Sequence, residues 1–227
     1  MKFIALIPGL LLPVLAACAT AATATPALET STPVPVTEAP GEALPAESGP
    51  ALVAIGTGSR ARYIVGEQLA RQDLPNVAIG ETAAVTGSIS LDATGRVNPD
   101  TSRVSVNLQG LTSDEDRRDR FLRGNALDSN QFPQAEVAVR ELPGLPWPLP
   151  TSGEASFQLV GDLTVRGETR PVTWAVTARF SPDAVSGRAT TSVTFDQFNM
   201  DKPSLFFIVS VNDQIDLELD FEAALQR

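Results

Sequence analysis

The sequence predicts an all-β domain of about eight antiparallel strands, and three observations carry that prediction. Apolar and polar residues alternate with period two through most of the chain beyond Arg60. Each such run has one dry and one wet face, which suits antiparallel strands around a single interior rather than parallel strands buried on both sides. Finally, the roughly 170 residues that carry the pattern must either stack as a sandwich or close as a barrel, and closure also removes exposed edges.

Taken from the N-terminus, Met1-Lys2 gives a short positive start, Phe3 to Val14 an apolar run interrupted by Pro8, Gly9 and Pro13, and Leu15-Ala16-Ala17-Cys18 follows at once. The run falls short of the ~20 apolar residues of a membrane-spanning helix and matches the apolar core of a secretory signal. Leu-Ala-Ala-Cys resembles the bacterial lipobox, in which the Cys sulfur receives a diacylglycerol anchor. Residues 1–17 are therefore expected to be a lipoprotein signal peptide. Cys18 is the expected lipidation site, holding the chain on a bacterial membrane, outside the cytoplasm, by acyl chains worth ~0.8 kcal/mol per buried methylene. Which membrane that is stays open. As the only Cys, it also excludes an intramolecular disulfide. Residues 18–57 are rich in Ala, Thr, Pro, Ser and Glu and contain no Lys or Arg. Such a stretch buries too little apolar surface to offset its ordering entropy, so a disordered tether is expected there, with the folded domain at 58–227.

Strands are expected near 60–66, 83–92, 102–109, 135–141, 155–165, 171–180, 185–195 and 206–221. Val85, Gly87, Ile89 and Leu91 share one face of the second, Val104, Val106 and Leu108 one face of the third. Phe157, Leu159, Gly161, Leu163 and Val165 share another, as do Val172, Trp174, Val176, Ala178 and Phe180, and Ile215, Leu217, Leu219 and Phe221 alternate with four acids. One segment breaks the pattern. Ser113 as N-cap, the acids Asp114, Glu115 and Asp116, the basic run from Arg117 to Arg123 and Gly124 as a stop predict a short helix with its charges on a solvated face. A second helical turn is expected over Ala126 to Asn130. Pro143, Pro146, Pro148 and Pro150 then make a stiff loop outside any ladder, with Trp147 either a lid residue or a cap on the barrel end, the cap being the favoured reading.

Composition narrows the chemistry. The chain has no His, which removes imidazole as a general base, metal ligand or pH switch, so no metal site is expected. Its net charge of −10 disfavours nucleic acid as a partner. Neither a glycine-rich phosphate loop nor a Cys/His ligand spacing occurs. The carboxylates Asp114, Glu115 and Asp116, and the group Asp196, Asp201 and Lys202, read as solvated charges or ion pairs, so no catalytic residue and no enzyme activity is expected.

At Gly161-Asp162-Leu163-Thr164-Val165-Arg166-Gly167-Glu168-Thr169-Arg170-Pro171-Val172 the sequence resembles the signature hairpin of the YceI-like family. Phe121-Leu122 followed by Gln131-Phe132-Pro133-Gln134-Ala135, then Phe195-Asp196-Gln197-Phe198-Asn199, and the stretch from Val211 to Leu219 match further family features in the same order. The resemblance runs over about 60–224. It implies an eight-stranded antiparallel, lipocalin-like barrel with one or two short helices in a mid-chain insertion, and a polyisoprenoid held in an apolar channel. The chain departs from the family at Leu74 to Gly87, where members carry a pattern like Phe-x-Val-x-His and this chain has neither aromatic nor His. A family His contact therefore has no counterpart, and the ligand's identity stays open.

An eight-stranded barrel is either filled by side chains or holds one elongated ligand. The reading favoured by the sequence is a membrane-anchored lipoprotein that carries or stores an apolar chain, polyisoprenoid or fatty-acyl, with no cofactor. Candidate lining residues are Ile89, Leu91, Phe157, Leu159, Trp174, Val176, Phe195 and Phe198, each of which could instead be ordinary core. Inward Gly87, Gly161 and Ala178 either leave room for a ligand or mark strand bends. The alternative is a filled barrel displayed on a tether as an interaction module, and interior volume separates the two.

Overall fold

The computed structural model describes residues 49–70, 74–204 and 206–227. Cys18, the expected signal at 1–17 and most of the expected tether lie outside the described residues. The strands are β1 (Ala51–Ile55), β2 (Arg60–Leu69), β3 (Asn76–Thr82), β4 (Val85–Leu91), β5 (Arg103–Asn107), β6 (Thr112–Ser113), β7 (Gln134–Glu141), β8 (Gly153–Val165), β9 (Glu168–Phe180), β10 (Ala184–Thr194) and β11 (Ile208–Gln226). Among the described residues one short α-helix, α1 (Asp116–Phe121), lies between β6 and β7.

β1, β4, β5, β7, β8, β9, β10 and β11 pair in that order and β11 returns to β1, closing an eight-stranded antiparallel barrel. β11 is long enough to serve two partners: Ala223–Gln226 pairs β1, and the stretch from Ile208 to Asp220 pairs β2. β2, β3 and β6 thus prolong the wall at one end. In effect β1 with β2, and β3 with β4, are two long strands, each broken by a short kink. The strand count expected from the sequence therefore holds, but the pieces β1 and β3 were not expected.

Two corrections follow. The folded barrel starts at Ala51 rather than at 58, because Ala51-Leu52-Val53-Ala54-Ile55 pairs on both sides, with β4 and β11. The mid-chain insertion also differs in detail. Glu115, not Ser113, caps α1, its side chain accepting from the Arg117 backbone N–H. Ser113 is instead held by Asp119, whose carboxylate accepts from both the Ser113 N–H and hydroxyl. Gly124 does not stop the helix, since a π-turn runs on through Leu122–Ala126.

The two ends differ. One bears the turn at 92–102, the proline-rich loop and the β9–β10 hairpin. There Trp147 donates to the Ala93 carbonyl at 3.1 Å, latching the loop as a cap, and Leu142, Leu145 and Leu149 turn inward to pack on the core. The other end bears the paired ends of β2 and β3, α1 and the segment 195–204, and we call it the mouth. Gly87 and Gly161 sit where neighbouring backbone approaches closely and line neither interior space. Gly87 has φ +141°, and a Cβ on either residue would run into the backbone of the adjacent strand, at Arg103 and Ala138.

Outward faces carry cross-strand ion pairs. Arg62 and Arg188 both bind Asp220 at 2.6 Å, and the Arg188 hydrogen bond holds the Asp220 carboxyl below the usual range. Among the described residues no helix is long and apolar enough to cross a membrane.

Candidate functional site: an axial apolar cavity with a polar cluster at its mouth

Alternation puts every second side chain of the barrel inside, and those side chains do not fill it. A larger chamber of about 190 Å³ lies on the mouth side and a smaller one of about 70 Å³ on the capped side. Val104, Leu159, Ala189 and Leu219 line both and form the waist between them. At ~10–15 Å³ per water-sized group, the larger chamber accommodates on the order of fifteen such groups and the smaller about five or six. Their walls are almost wholly apolar.

Every lining candidate named from the sequence faces one chamber or both. Trp174, Phe195 and Phe198 line the larger, Ile89, Leu91, Phe157 and Val176 the smaller, and Leu159 stands at the waist. Phe195 and Phe198 come from the short 3-10 turn at Asp196–Phe198, which folds Phe198 to complete burial. The other named charges are placed as solvated groups: Lys202 pairs with Asp213 at 3.1 Å, both about half exposed, and Asp196, Asp201 and Asp116 are exposed.

The cluster at the mouth was misjudged from sequence. α1 does not present all its charges to solvent, because its inner face lies over the barrel end and buries Arg118 and Asp119. The Arg118 side chain is 5% exposed and the Glu67 side chain, on β2, 1%. They meet at 2.6 Å through the Arg118 Nη2. The Nη1 group donates to Asp114 at 2.6 Å and to the Ser113 hydroxyl at 3.1 Å, and Asn76 donates to the same Glu67 oxygen at 2.9 Å. Burial disfavours the Arg118 cation, but the Asp114 hydrogen bond and the Glu67 charge outweigh it and raise its pKa.

Tyr63 belongs to the same group. Its ring lies against Gly80 on β3, where any Cβ would collide with it. Gly80, one of the small residues that gave this stretch its weak strand signal, thus makes room for an aromatic from the neighbouring strand. Burial, opposed by the nearby Arg118 charge, pushes the Tyr63 phenol up from 10.0 to about 12. The folded value lies above the unfolded one, so the associated stability is fully present below pH 10 and is lost as pH rises from 10 to 12. At 1.36 kcal/mol per unit this amounts to about 2–3 kcal/mol. Tyr63 is the only tyrosine in the chain, so tyrosinate absorbance reports it alone. The native protein should show no rise near pH 10, and an ordinary titration there would contradict the burial described.

Further apolar groups stand exposed beside the mouth. Leu74, Val77, Ile79, Phe206 and Val209 are all about half exposed or more, and they flank the pairing of Leu69 with Ile208, itself a lining residue.

Comparison with known proteins agrees with this geometry. The family profile described as YceI-like domain matches residues 71–223. A UPF0312 protein of Pseudomonas putida strain GB-1 is 25% identical over 138 residues, covering 57% of this chain and 66% of its own length. A UPF0312 protein of strain KT2440 is 24% identical over 150 residues, 62% of this chain and 70% of its own. The chain thus spans just under two thirds of the first of these relatives. Among solved structures, a polyisoprenoid binding domain from Saccharophagus degradans, implicated in plant cell wall breakdown, superposes with a TM-score of 0.57 at 8% identity, over 77% of this chain and 98% of that one. BcnA of Burkholderia cenocepacia gives 0.53 at 12% identity, over 76% and 99%. At such identities the likeness is one of fold.

Proposed function

Because the chain belongs to the YceI-like domain family, we propose that it is a non-catalytic binding protein that holds one apolar chain, polyisoprenoid or fatty-acyl, along its barrel axis, for carriage or storage. The observation that carries this reading is the pair of apolar chambers sharing a waist, which a filled barrel would lack. At ~0.8 kcal/mol per buried methylene, ten or more methylenes need no charged anchor to bind tightly. The cap formed by Leu142, Leu145 and Leu149 makes the smaller chamber the chain's far end, and the mouth its way in. Solvent extraction of the purified protein followed by mass spectrometry should recover an apolar chain. Repeated recovery of empty protein, with no uptake of a prenyl or acyl probe, would argue for the interaction module instead.

We further propose that the protein works outside the cytoplasm, anchored to a bacterial membrane through acylated Cys18. The sequence Leu15-Ala16-Ala17-Cys18 supports this, and the exposed apolar rim beside the mouth suits a protein that loads from a bilayer. Cys18→Ser should move the protein from the membrane pellet to the soluble fraction and abolish incorporation of labelled palmitate. Unchanged fractionation and labelling would remove the anchor from the proposal.

A further inference from the structure

Among the described residues the large apolar side chains that stand well exposed are Leu74, Val77, Ile79, Phe206 and Val209, and all five lie on the wall extension at the mouth end. Single exposed apolar residues need no account, but five around one opening form a patch that calls for a partner. The charges are sorted in the same way. Every arginine on a described barrel strand pairs with a carboxylate. At the mouth, by contrast, Arg123 and Arg166 donate only to backbone carbonyls, Arg120 is exposed, and Arg117 lies over the Phe206 ring with its guanidinium 5.3 Å from the centroid. Guanidiniums without carboxylate partners beside exposed apolar side chains suit contact with lipid, the apolar groups passing below the phosphates and the arginine heads staying level with them.

Where the chain enters and leaves the barrel bears on the occupant. Ala51 pairs with Leu91, beside the turn at 92–102, and Leu52 with Gln226, so both ends of the described chain emerge at the capped end and neither runs past the rim. A second copy seated on the rim about a two-fold axis would set the Arg117 guanidiniums of the two copies against one another over one apolar patch. We propose that the rim docks on a phospholipid bilayer, with Leu74, Val77 and Phe206 in the acyl layer and Arg117 at the phosphates, so that the mouth opens into the membrane. Asp116, Asp196 and Asp201 are exposed at the same end and offset the arginines, so apolar burial rather than net charge drives the contact. This names the surface that the mouth meets in the binding reading above and rests on that reading. An anchor at Cys18 is compatible with it. Fully extended, the roughly 30 residues between Cys18 and Ala51 reach ~100 Å, against ~40 Å for a 13-residue barrel strand such as β8, so a chain held at its capped end can still turn its mouth to the same bilayer.

The test attaches a nitrobenzoxadiazole label through Leu74→Cys at the rim or Thr177→Cys at an exposed position of β9. Both are made in the intact chain carrying Cys18→Ser, so that no acyl anchor contributes. Phosphatidylcholine vesicles should raise and blue-shift the emission of the rim label and leave that of the β9 label unchanged, with no stronger response when phosphatidylglycerol is added and no loss in high salt. Phe206→Ser should weaken vesicle binding roughly 10-fold or more, the loss expected when one aromatic side chain is no longer buried. A response from both labels, or from neither, overturns the docking. So does a rim response that needs phosphatidylglycerol and vanishes in high salt, which would mark a charge contact, or one that appears without vesicles and grows with protein concentration, which would mark a second copy on the rim. Uptake of a fluorescent fatty-acyl probe added from ethanol is measured on the same labelled proteins. Uptake without a rim response removes the docking and leaves the apolar-chain reading standing, whereas a rim response without uptake removes that reading and leaves a protein that docks on membranes for another purpose. Both labelled positions are exposed, so the comparison stands even if Phe206→Ser does not fold.

Discussion

Ala189→Phe should cut the affinity for a C20 chain by roughly 100- to 1,000-fold while leaving a C10 chain with the same head within about 3-fold. Ala189 is a buried β10 residue at the waist, and it is much smaller than Val104, Leu159 and Leu219, which share that position with it. A benzyl group there projects into the space through which a long chain must pass to reach the capped chamber. That chamber, at about 70 Å³, houses about five or six methylene-sized groups. Losing their burial at ~0.8 kcal/mol each amounts to about 4 kcal/mol, or close to 1,000-fold. Some of this is recoverable if a long chain folds back within the larger chamber, which sets the lower bound. Overpacking a filled core typically costs about 1–3 kcal/mol, but here the added ring has empty volume to occupy, so the melting temperature should change little. The measurement is a pair of titrations with C10 and C20 probes on the same preparation. Equal weakening of both chains, or of neither, would mean that ligand does not thread the waist.

That the barrel was legible in the sequence, while parts of its wall were not, has a physical cause. Ile215 to Phe221 alternates because each strand there divides one face of the barrel from water, and period two records that division directly. β3 hides from the same test. Its inward residues Ala78, Gly80 and Thr82 are small, Gly80 because the Tyr63 ring lies where its Cβ would be, and its outward Val77 and Ile79 are apolar and exposed, so the hydrophobic pattern is inverted. β1 was obscured because Ala51 to Ile55 follows a proline-rich stretch and is nearly continuous in apolar residues. The lining candidates could be named because inward position is a local property of a strand. The polar cluster could not, since it joins Glu67 on β2, Asn76 on β3 and Arg118 on α1. Nothing within α1 distinguishes Arg118 from Arg117 or Arg120, and its burial is decided by how the helix seats on the barrel. One signal was available, namely a lone tyrosine among inward residues with a glycine-bearing strand next to it.

Arg118→Met should destabilise the fold by about 3–5 kcal/mol, as should Glu67→Leu, whereas the double variant should recover most of that loss. The reason is asymmetry: a buried pair gains little over apolar residues of similar size, but removing one member strands the other without compensation. With side-chain exposures of 5% and 1%, neither Arg118 nor Glu67 has solvent to fall back on. Asn76 alone cannot neutralise Glu67, and Asp114, itself 74% exposed, compensates Arg118 only from the outer side. Urea denaturation of the four proteins in a double-mutant cycle gives the coupling directly. Lys202 and Asp213 provide the control, for they form an ion pair at 3.1 Å with exposures of 47% and 48% and should yield under about 1 kcal/mol when either is removed. If the two cycles return similar couplings, burial is not what gives the mouth cluster its weight. If they differ as expected, the pair fixes how α1 sits across the barrel end, and single variants should also release bound ligand faster, because the helix that frames the mouth has lost its attachment to β2.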